Sequence, residues 1–386
     1  MKLPIDRDYL IETLRDLIGI DSRNPSLVSG GPGEAEIAAY VADRLRNINL
    51  QVEIFEPESR RTSVVGILKG TGSGRTLIFN AHLDTVGVEG MRDPFSALVR
   101  DGRVYGRGAY DMKGSVAACM AAAKALADAG IDLKGDLMVA TVADEEYASL
   151  GTAMLLKRYP GKIDAAIVTE PTELEICVAH KGFIWLEVET IGKAAHGSRC
   201  DEGVDANIHM GRFLAELDKL ACRLRSRKGH PRVGSPSLHA AMLSGGTGLS
   251  TYAANCKLHI ERRTIPGETE TSVMAEIEEI LRGLAAADPT FQATAKAFFV
   301  RDAFEVSPDA TIVKMVRRAA TEILGAEPNL AGRPFWMDSA LLSGGGVGTV
   351  IIGPKGGGAH SDEEWVDVDS LVSLAQILAA AAVKFE

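Results

Sequence analysis

The first 180 residues alternate between two apolar patterns, one with the period of helices and one with the length of buried strands. Leu10, Leu14 and Leu17 recur at helical spacing behind Asp6, a candidate N-cap residue. The pattern predicts helices near 10–18, 34–47, 112–129 and 149–158, and strands near 51–55, 63–68, 76–81, 137–142 and 165–169. Because helices alternate with buried strands, we expect an α/β fold in which a mostly parallel sheet carries helices on both faces.

The pattern changes after about residue 180 and returns to the α/β type near the end of the chain. The middle segment predicts a strand, a helix, two strands, a helix and a strand, which can form a compact two-layer α+β unit. These elements are expected near 183–191, 204–222, 238–243, 256–262, 269–287 and 293–299, followed by α/β elements near 309–324, 349–352 and 368–384. We therefore predict an α/β domain formed by 1–180 and 294–386, interrupted by a smaller α+β domain at 181–293.

Two pairs of polar residues stand at the ends of predicted buried strands. His82 and Asp84 follow one apolar strand, and Glu145 and Glu146 follow the strand at 137–142. A buried charge at a strand end is unfavourable unless it is paired or bound to a metal ion. In open α/β sheets, ligands bind outside the carboxyl ends of the strands. The two pairs therefore indicate the two halves of one metal site.

Three further polar residues have a similar setting between predicted elements. Asp111 precedes a helix, Glu170 ends a strand, and His360 ends a glycine-rich turn. The five candidate metal ligands are thus His82, Asp111, Glu146, Glu170 and His360. Histidine and carboxylate ligands without thiolate suit catalytic zinc or a harder divalent ion. Five such ligands exceed the need of one tetrahedral zinc with an open position, and they suit two metal ions that share a bridging carboxylate.

The adjacent acids at 145 and 146 require separate roles. Neighbouring residues in a turn point in different directions, so one carboxylate can bind metal while the other faces the water and acts as general base. Asp84 lies two residues beyond His82, and alternate residues of a strand point to the same side. We expect Asp84 to hold the second imidazole nitrogen of His82, the usual support of a metal-binding histidine.

Composition and charge exclude several other classes of protein. The 386 residues contain 42 basic and 52 acidic side chains, a net charge of −10, which argues against nucleic acid as a partner. No apolar run approaches the roughly 20 residues of a membrane span, and the acidic amphipathic N-terminal segment is not expected to be a signal peptide. Five scattered cysteines without a CxxC pair argue against a disulfide framework and favour the cytoplasm.

Together, these motifs resemble the zinc amidohydrolase family that contains acetylornithine deacetylase, succinyl-diaminopimelate desuccinylase and carboxypeptidase G. The resemblance extends along essentially the whole chain, and any one motif is weak while the ordered set is specific. The motifs that carry it lie at 77–86, 106–114, 144–146, 169–171 and 358–363. The resemblance implies a zinc-exopeptidase-like catalytic domain with two zinc ions per chain, for which cobalt or manganese could substitute.

The resemblance also implies a role for each candidate ligand. Asp111 would bridge the two ions, His82 and Glu170 would complete one site, and Glu146 and His360 would complete the other. Glu145 would be the general base on the water at the zinc pair, and Asp84 would orient His82. A cis peptide bond is implied after the bridging aspartate, between Asp111 and Met112.

The inserted domain resembles the lid and dimerisation domain of the same family. The segment 192–198 matches a motif whose histidine, here His196, stabilises the tetrahedral oxyanion, often across a dimer interface. The segment 261–268 matches a strand whose arginine binds the substrate carboxylate, with Arg263 the better match and Arg262 beside it. The usual Asn-x-x-Pro motif is replaced around Ser250, so a substrate hydrogen bond would be lost or supplied by Ser250, Thr251 or Asn255.

The resemblance therefore implies a metal-dependent hydrolase of the amide bond of an N-acyl amino acid, most similar to acetylornithine deacetylase. A succinyl-diaminopimelate desuccinylase remains open, as does a dipeptidase or carboxypeptidase of the same family. A catalytically silent metal-binding scaffold is the alternative from another class, and it would be expected to lack a ligand or the base. The resemblance implies a homodimer through the lid domain and a small N-acyl amino acid or short peptide as partner.

Overall fold

The computed structural model describes residues 2–385. Within them, the helices are α1 Arg7–Gly19, α2 Ala35–Asn47, α3 Gly114–Asp128, α4 Leu150–Arg158, α5 Ala206–Ser226, α6 Glu270–Ala287, α7 Thr311–Leu324, α8 Ser339–Gly344 and α9 Val368–Lys384. The first eight strands are β1 Gln51–Phe55, β2 Ser63–Leu68, β3 Leu77–His82, β4 Leu98–Arg100, β5 Arg103–Tyr105, β6 Leu137–Val142, β7 Ala165–Val168 and β8 Ile176–His180. The others are β9 Gly182–Ile191, β10 Ser237–Gly245, β11 Asn255–Thr264, β12 Gln292–Arg301, β13 Phe304–Glu305, β14 Leu330–Arg333, β15 Gly348–Ile351, β16 Gly356–Gly357 and β17 Trp365–Asp367.

Every helix and strand that the periodicity predicts has a counterpart in the structure. The elements that were not predicted are α8 and the strands β4, β5, β8, β13, β14, β16 and β17. They contain two to six residues each, so few positions are available in which a period could be recognised.

Contacts divide the chain into two compact units. The first unit contains residues 2–178, 306–331 and 337–385, and the second contains 179–305 and 332–336. The predicted boundary at residue 293 therefore has to be corrected. Strand β12 pairs with β9 along its whole length, from Gln292 opposite Ile191 to Arg301 opposite Phe183, so it belongs to the second unit.

The first unit is built on a sheet in which seven strands follow one another in the order β1-β2-β6-β3-β7-β15-β8. The four central strands, β6, β3, β7 and β15, run parallel, and the strands at the two edges are antiparallel. This confirms the α/β prediction for the centre of the sheet. A separate small sheet, in the order β16-β17-β5-β4, places Trp365 opposite Tyr105.

Alternate residues of the central strands pack against helices on opposite faces of the large sheet. Leu77 and Phe79 of β3 join an apolar core formed with α1, α2, α3, α7 and α9. Asn80 points to the other face, where its amide lies 3.5 Å from the hydroxyl of Thr152 in α4. Because both faces are covered, β3 and β6 are buried throughout, and the polar residues at their ends emerge from an apolar interior.

The second unit is an antiparallel sheet in the order β10-β11-β9-β12, with α5 and α6 packed on one face. Burial alternates strictly along β9, where Ile184, Leu186 and Val188 enter the core beneath the helices. The other face carries polar and aromatic side chains. In the part of the chain that the structure describes, no helix is long and apolar enough to cross a membrane.

Candidate active site

Three neighbouring parallel strands of the first unit end in candidate ligands. His82 is the last residue of β3 and pairs with Val142, the last residue of β6. Glu145 and Glu146 follow within four residues of that end. Glu170 lies two residues after Val168, the last residue of β7, which pairs with Asn80 of β3. The parallel register thus brings their side chains to one edge of the sheet, as the strand-end argument predicts.

Asp111 lies between the two candidate histidines. Its Oδ1 is 3.1 Å from His82 Nε2, and its Oδ2 is 3.4 Å from His360 Nε2. His360 Nε2 is also 3.1 Å from Glu146, and His82 Nε2 is 3.9 Å from Glu170. One carboxylate that turns each oxygen toward a different histidine has the arrangement of a bridging ligand.

The donor atoms of these residues converge in two overlapping groups. His82, Asp111 and Glu146 form one group whose atoms lie within 4.8 Å of one another, and His82, Glu145 and Glu170 form the other within the same distance. The structure therefore brings together all five candidate ligands and Glu145.

Burial and mutual repulsion disturb the protonation of the acids in this cluster. Burial, with the charge of Glu170, raises the pKa of Glu145 well above its usual range. Burial likewise raises the pKa of Glu146 and Glu170. Hydrogen bonds to Asp111 and Glu146 raise the pKa of His360 to about 10.

These properties fit a pair of divalent metal ions. Several carboxylates that are buried together repel one another and lose hydration, and cations placed among them offset both penalties. The donors are oxygen and imidazole nitrogen without sulfur, which suits zinc, cobalt or manganese. The donor set thus agrees with the metal class that the sequence predicts.

The expected role of Asp84 needs a correction. The Nδ1 atom of His82 lies 2.9 Å from the backbone carbonyl oxygen of Asp84, whereas the nearest carboxylate oxygen is 3.6 Å away. The carboxylate instead accepts hydrogen bonds from the backbone N–H groups of Glu145 and Glu146, at 3.0 and 3.1 Å, and from the Asn24 side chain at 2.8 Å. Asp84 thus orients His82 through its backbone and orients the glutamate turn through its side chain.

A buried ionic cluster, not predicted from the sequence, lies behind that turn. Arg61, only 3% exposed, pairs with Asp144 and with Glu34 at 3.1 Å, and Asn24 bonds Asp144 at 3.0 Å. Burial, with the charge of Asp84, raises the pKa of Glu34 to about 9, so Asp144 is the main countercharge of Arg61. Asp144 has φ of 69°, a conformation that few non-glycine residues adopt without support. No sequence pattern distinguishes Arg61 or Glu34 from surface residues.

The implied cis peptide bond between Asp111 and Met112 is present. The backbone of these two residues departs from helical geometry, with φ of −120° at Asp111 and −139° at Met112. Helix α3 begins only at Gly114, two residues later than the periodicity predicts.

The remaining candidate residues belong to the second unit. His196 is exposed, and its Nδ1 accepts the backbone N–H of Ser198 at 3.2 Å and lies 2.9 Å from the Ser198 hydroxyl. Ser250 and Asn255 are exposed, and the backbone carbonyl of Ser250 accepts the N–H of Gly197 at 2.7 Å. The backbone of the His196 segment is thus joined to that of the Ser250 segment.

The two adjacent arginines of β11 point to opposite faces of the sheet. Arg263 lies on the open face, where its Nε donates to Glu261 at 2.7 Å and its guanidinium stacks 5.1 Å from the Phe183 ring. Arg262 is 1% exposed and pairs with Glu268 at 2.6 Å and Glu276 at 3.4 Å. Because Arg262 is buried and paired, we withdraw it from the substrate-binding candidates and retain Arg263.

Comparison with known proteins identifies the family. Residues 78–384 match the peptidase family M20/M25/M40, and the chain belongs to this family. It is 29% identical over 382 residues to an acetylornithine deacetylase from Myxococcus xanthus, covering 97% of this chain and 96% of that protein. It is 27% identical over 406 residues to an N-formyl-4-amino-5-aminomethyl-2-methylpyrimidine deformylase from Halalkalibacterium halodurans, covering 97% and 93%.

A solved structure supports the fold. The YXEP protein of Bacillus subtilis, described as a dinuclear metal binding peptidase from the M20 family, aligns with a TM-score of 0.76 at 19% identity, covering 98% of this chain and 97% of that one. The protein is therefore a hydrolase of the M20 family that acts on amide bonds, which confirms the family, fold and enzyme class that the motifs predict.

Proposed function

We propose that the protein hydrolyses the amide bond of an N-acyl amino acid in the manner of an acetylornithine deacetylase. The observation that carries the proposal is the position of Asp111, whose two carboxylate oxygens face His82 and His360 while Glu145 stands in the same cluster of donors. The relative from Myxococcus xanthus, which matches over nearly the whole of both chains, supports the choice of acyl substrate.

The five candidate ligands would hold two zinc ions, for which cobalt or manganese could substitute. Asp111 would be shared, with His82 and Glu170 on one side and Glu146 and His360 on the other. Two bound ions would supply Lewis acidity at the substrate carbonyl and a water of lowered pKa.

Glu145 would move the proton in this reaction. Its carboxylate accepts a proton from the attacking water and delivers it to the nitrogen of the scissile amide, so that the C–N bond breaks and a carboxylic acid and an amine leave. Two features support this role. The Glu145 side chain lies among the ligand atoms, and its backbone N–H is fixed by Asp84 at 3.0 Å.

His196 would donate a hydrogen bond to the tetrahedral oxyanion. Because its Nδ1 accepts the backbone N–H of Ser198, the neutral imidazole carries its proton on Nε2, which makes Nε2 a donor. Arg263 would bind the substrate carboxylate, since a guanidinium suits bidentate capture and this one lies on the open face of its sheet. Ser250 and Asn255 are exposed and would supply the remaining hydrogen bonds.

We also propose a homodimer formed through the second unit and a cytoplasmic location. Strand β10 is the edge of its sheet, and the exposed Met242 and Leu243 lie on it, so its open edge supports pairing with a second copy. Among the residues that the structure describes, all five cysteines are free and Cys200 and Cys222 are exposed, which suits a reducing compartment.

The test is amine release from a panel of substrates, measured after zinc loading and again with chelator. The panel contains N-acetyl-L-ornithine, N-succinyl-diaminopimelate, other N-acyl amino acids, an N-formyl amine and several dipeptides. Chelator-sensitive release from N-acetyl amino acids would support the proposal. Cleavage of dipeptides alone would show that the protein is a peptidase. Preference for the formyl or succinyl compound would show that the acyl group of the substrate is formyl or succinyl and not acetyl.

A variant separates an enzyme from a metal-binding scaffold. Glu145→Gln is expected to retain two metal ions per chain and to lose nearly all turnover, because the amide cannot accept the proton. Glu145→Gln with wild-type turnover would remove Glu145 from the mechanism.

A further inference from the structure

Glu364 has no role in the proposed reaction, yet its side chain is one of the most completely bonded in the first unit. It lies four residues after His360 and is 1% exposed. Arg107, its charged partner, lies 2.7 Å away and is 2% exposed. A buried carboxylate needs such bonds, because an unpaired one would be strongly unfavourable.

The Glu364 carboxylate binds the backbone of the loop that carries Asp111. Its Oε1 accepts the backbone N–H groups of Tyr110 and Asp111, both at 2.9 Å. Its Oε2 accepts the backbone N–H of Gly108 at 3.0 Å and the Arg107 guanidinium. Four donors from five consecutive residues thus converge on one side chain from the other end of the sequence.

The same contacts join this loop to the segment that carries His360. Arg107 donates to the backbone carbonyl of Ser361 at 3.1 Å, and the backbone carbonyl of Glu364 accepts the N–H of Gly106 at 3.1 Å. The two segments therefore share side-chain and backbone hydrogen bonds. One segment holds the shared carboxylate Asp111, and the other holds a histidine that faces it.

The Asp111 backbone depends on this support because it lacks helical bonding. Asp111 has φ of −120° and ψ of 89°, outside the helical region, so its amide is not part of the α3 hydrogen-bond ladder. Glu364 supplies the acceptor that this amide requires. A shift of the Asp111 backbone would move both carboxylate oxygens relative to His82 and His360.

We propose that Glu364 is a positioning residue that holds the Asp111 carboxylate in place to be shared between two metal ions. The assignment rests on the proposed function, in which Asp111 and His360 bind metal. Glu364 itself is not a ligand in it; it acts on the metal pair through the loop backbone. Residues that support ligands in this way typically change metal affinity about 10–100-fold when they are replaced.

The test is Glu364→Gln, which keeps the size of the side chain and removes the charge. Whichever way the amide is turned, its NH₂ group faces N–H donors that the carboxylate accepted. We expect apo-protein titrated with Co²⁺ to bind about 10–100-fold more weakly than the wild type and to show an altered visible Co²⁺ spectrum, which reports ligand geometry. Glu364→Asp keeps the charge with a shorter reach, so its affinity should lie between the two, and it decides the question if Glu364→Gln does not fold.

Glu268→Gln is the matched control. Glu268 also accepts an arginine, Arg262 at 2.6 Å, and a backbone N–H, Ile265 at 3.0 Å, but it belongs to the second unit. We expect this variant to lose stability and to bind Co²⁺ with wild-type affinity and spectrum.

The outcomes distinguish a failure of the proposed metal site from a failure of the proposed role of Glu364. A wild-type protein that binds no Co²⁺ would overturn the proposed metal site, and the role of Glu364 with it. A wild type that binds Co²⁺ normally, together with folded Glu364 variants of unchanged affinity and spectrum, would overturn the role of Glu364 alone.

Discussion

The carboxylate of Asp84 accepts the backbone N–H of Glu145 at 3.0 Å, so a residue two positions beyond the His82 strand fixes the turn after the neighbouring strand. A second bond, from the N–H of Glu146 at 3.1 Å, makes the contact bidentate. The turn that presents the proposed base and a proposed ligand is therefore held by one side chain.

Asp84→Asn should lower kcat about 10–100-fold, the usual range for a residue that supports ligands. The asparagine amide can accept a hydrogen bond from only one of the two backbone N–H groups, those of Glu145 and Glu146, because its own NH₂ group is a donor and faces the other N–H. Because His82 bonds the Asp84 backbone carbonyl, its orientation should survive. Kinetics with the best substrate of the panel, together with metal content, check this prediction. Asp136→Asn is the control, since Asp136 accepts the N–H of Gly70 at 3.0 Å before β6 begins; equal losses in both variants would argue against a specific role for Asp84.

The parts of the site that could be predicted from the sequence are those that depend on strand ends. His82 and Glu146 stand where apolar runs stop, and a parallel register places such residues at one edge. The role of Asp84 was only half predicted, because strand alternation indicates which side a residue faces and does not identify its hydrogen-bond partner.

Long-range partners could not be predicted in the same way. Glu364 meets the Asp111 loop across more than 250 residues, and Arg61 meets Asp144 across 83. A single sequence has no pattern that pairs such distant positions. The short strands of the small sheet, which bring Trp365 opposite Tyr105, also could not be recognised from the periodicity of the sequence.

Arg61→Met should lower the free energy of unfolding by about 3–5 kcal/mol, because it leaves Asp144 as a buried charge without its partner. Urea unfolding followed by circular dichroism measures the change. Arg46→Met is the surface control, since the Arg46–Asp43 pair is 50% and 73% exposed and should contribute less than about 1 kcal/mol. A loss of similar size in both variants would show that the buried cluster is no more important than an exposed pair.

Metal binding should stabilise the first unit. Zinc at 100 times its dissociation constant adds about 2.7 kcal/mol for each site that exists only in the folded state. The melting temperature should therefore rise on zinc addition and fall on chelation. Asp111→Asn is expected to abolish most of the rise, because the proposed shared ligand is lost. A rise that Asp111→Asn leaves unchanged would place the bound zinc elsewhere.

Acid should weaken an ion cluster on the open face of the second unit. Hydrogen bonds from Lys296, His259 and Lys257 hold the pKa of Glu187 at about 2, below its ordinary 4.5. Because the folded pKa is lower than the unfolded one, the cluster contributes stability above about pH 4.5 and loses it as the pH falls toward 2. The melting temperature of Glu187→Gln should therefore lie slightly below that of the wild type at pH 6 and converge with it near pH 2. Added salt should reduce the gap at pH 6, and a gap that persists at pH 2 would contradict the assignment.

Arg262 and Arg263 allow the substrate assignment to be tested against stability at adjacent positions. Strand alternation sends Arg263 to the open face and Arg262 beneath the helices, where it meets Glu268 and Glu276. Arg263→Ala should raise KM about 10–100-fold with a smaller change in kcat, the expected loss of a charge-assisted hydrogen bond to substrate. It should lower the melting temperature less than Arg262→Met does, because the Arg263 side chain is 33% exposed and that of Arg262 is 1% exposed.

Arg262→Met should do the reverse. It leaves Glu268 and Glu276 with only the half-exposed Arg227 as a countercharge. We therefore expect a loss of about 1–3 kcal/mol in unfolding free energy and a KM close to that of the wild type at a temperature where the variant is folded. Substrates that lack the α-carboxylate provide an internal check, since Arg263→Ala should no longer be impaired with them relative to the wild type. If the two variants show the same KM, the carboxylate is bound by another residue, and the assignment of Arg263 has to be abandoned while the metal site stands.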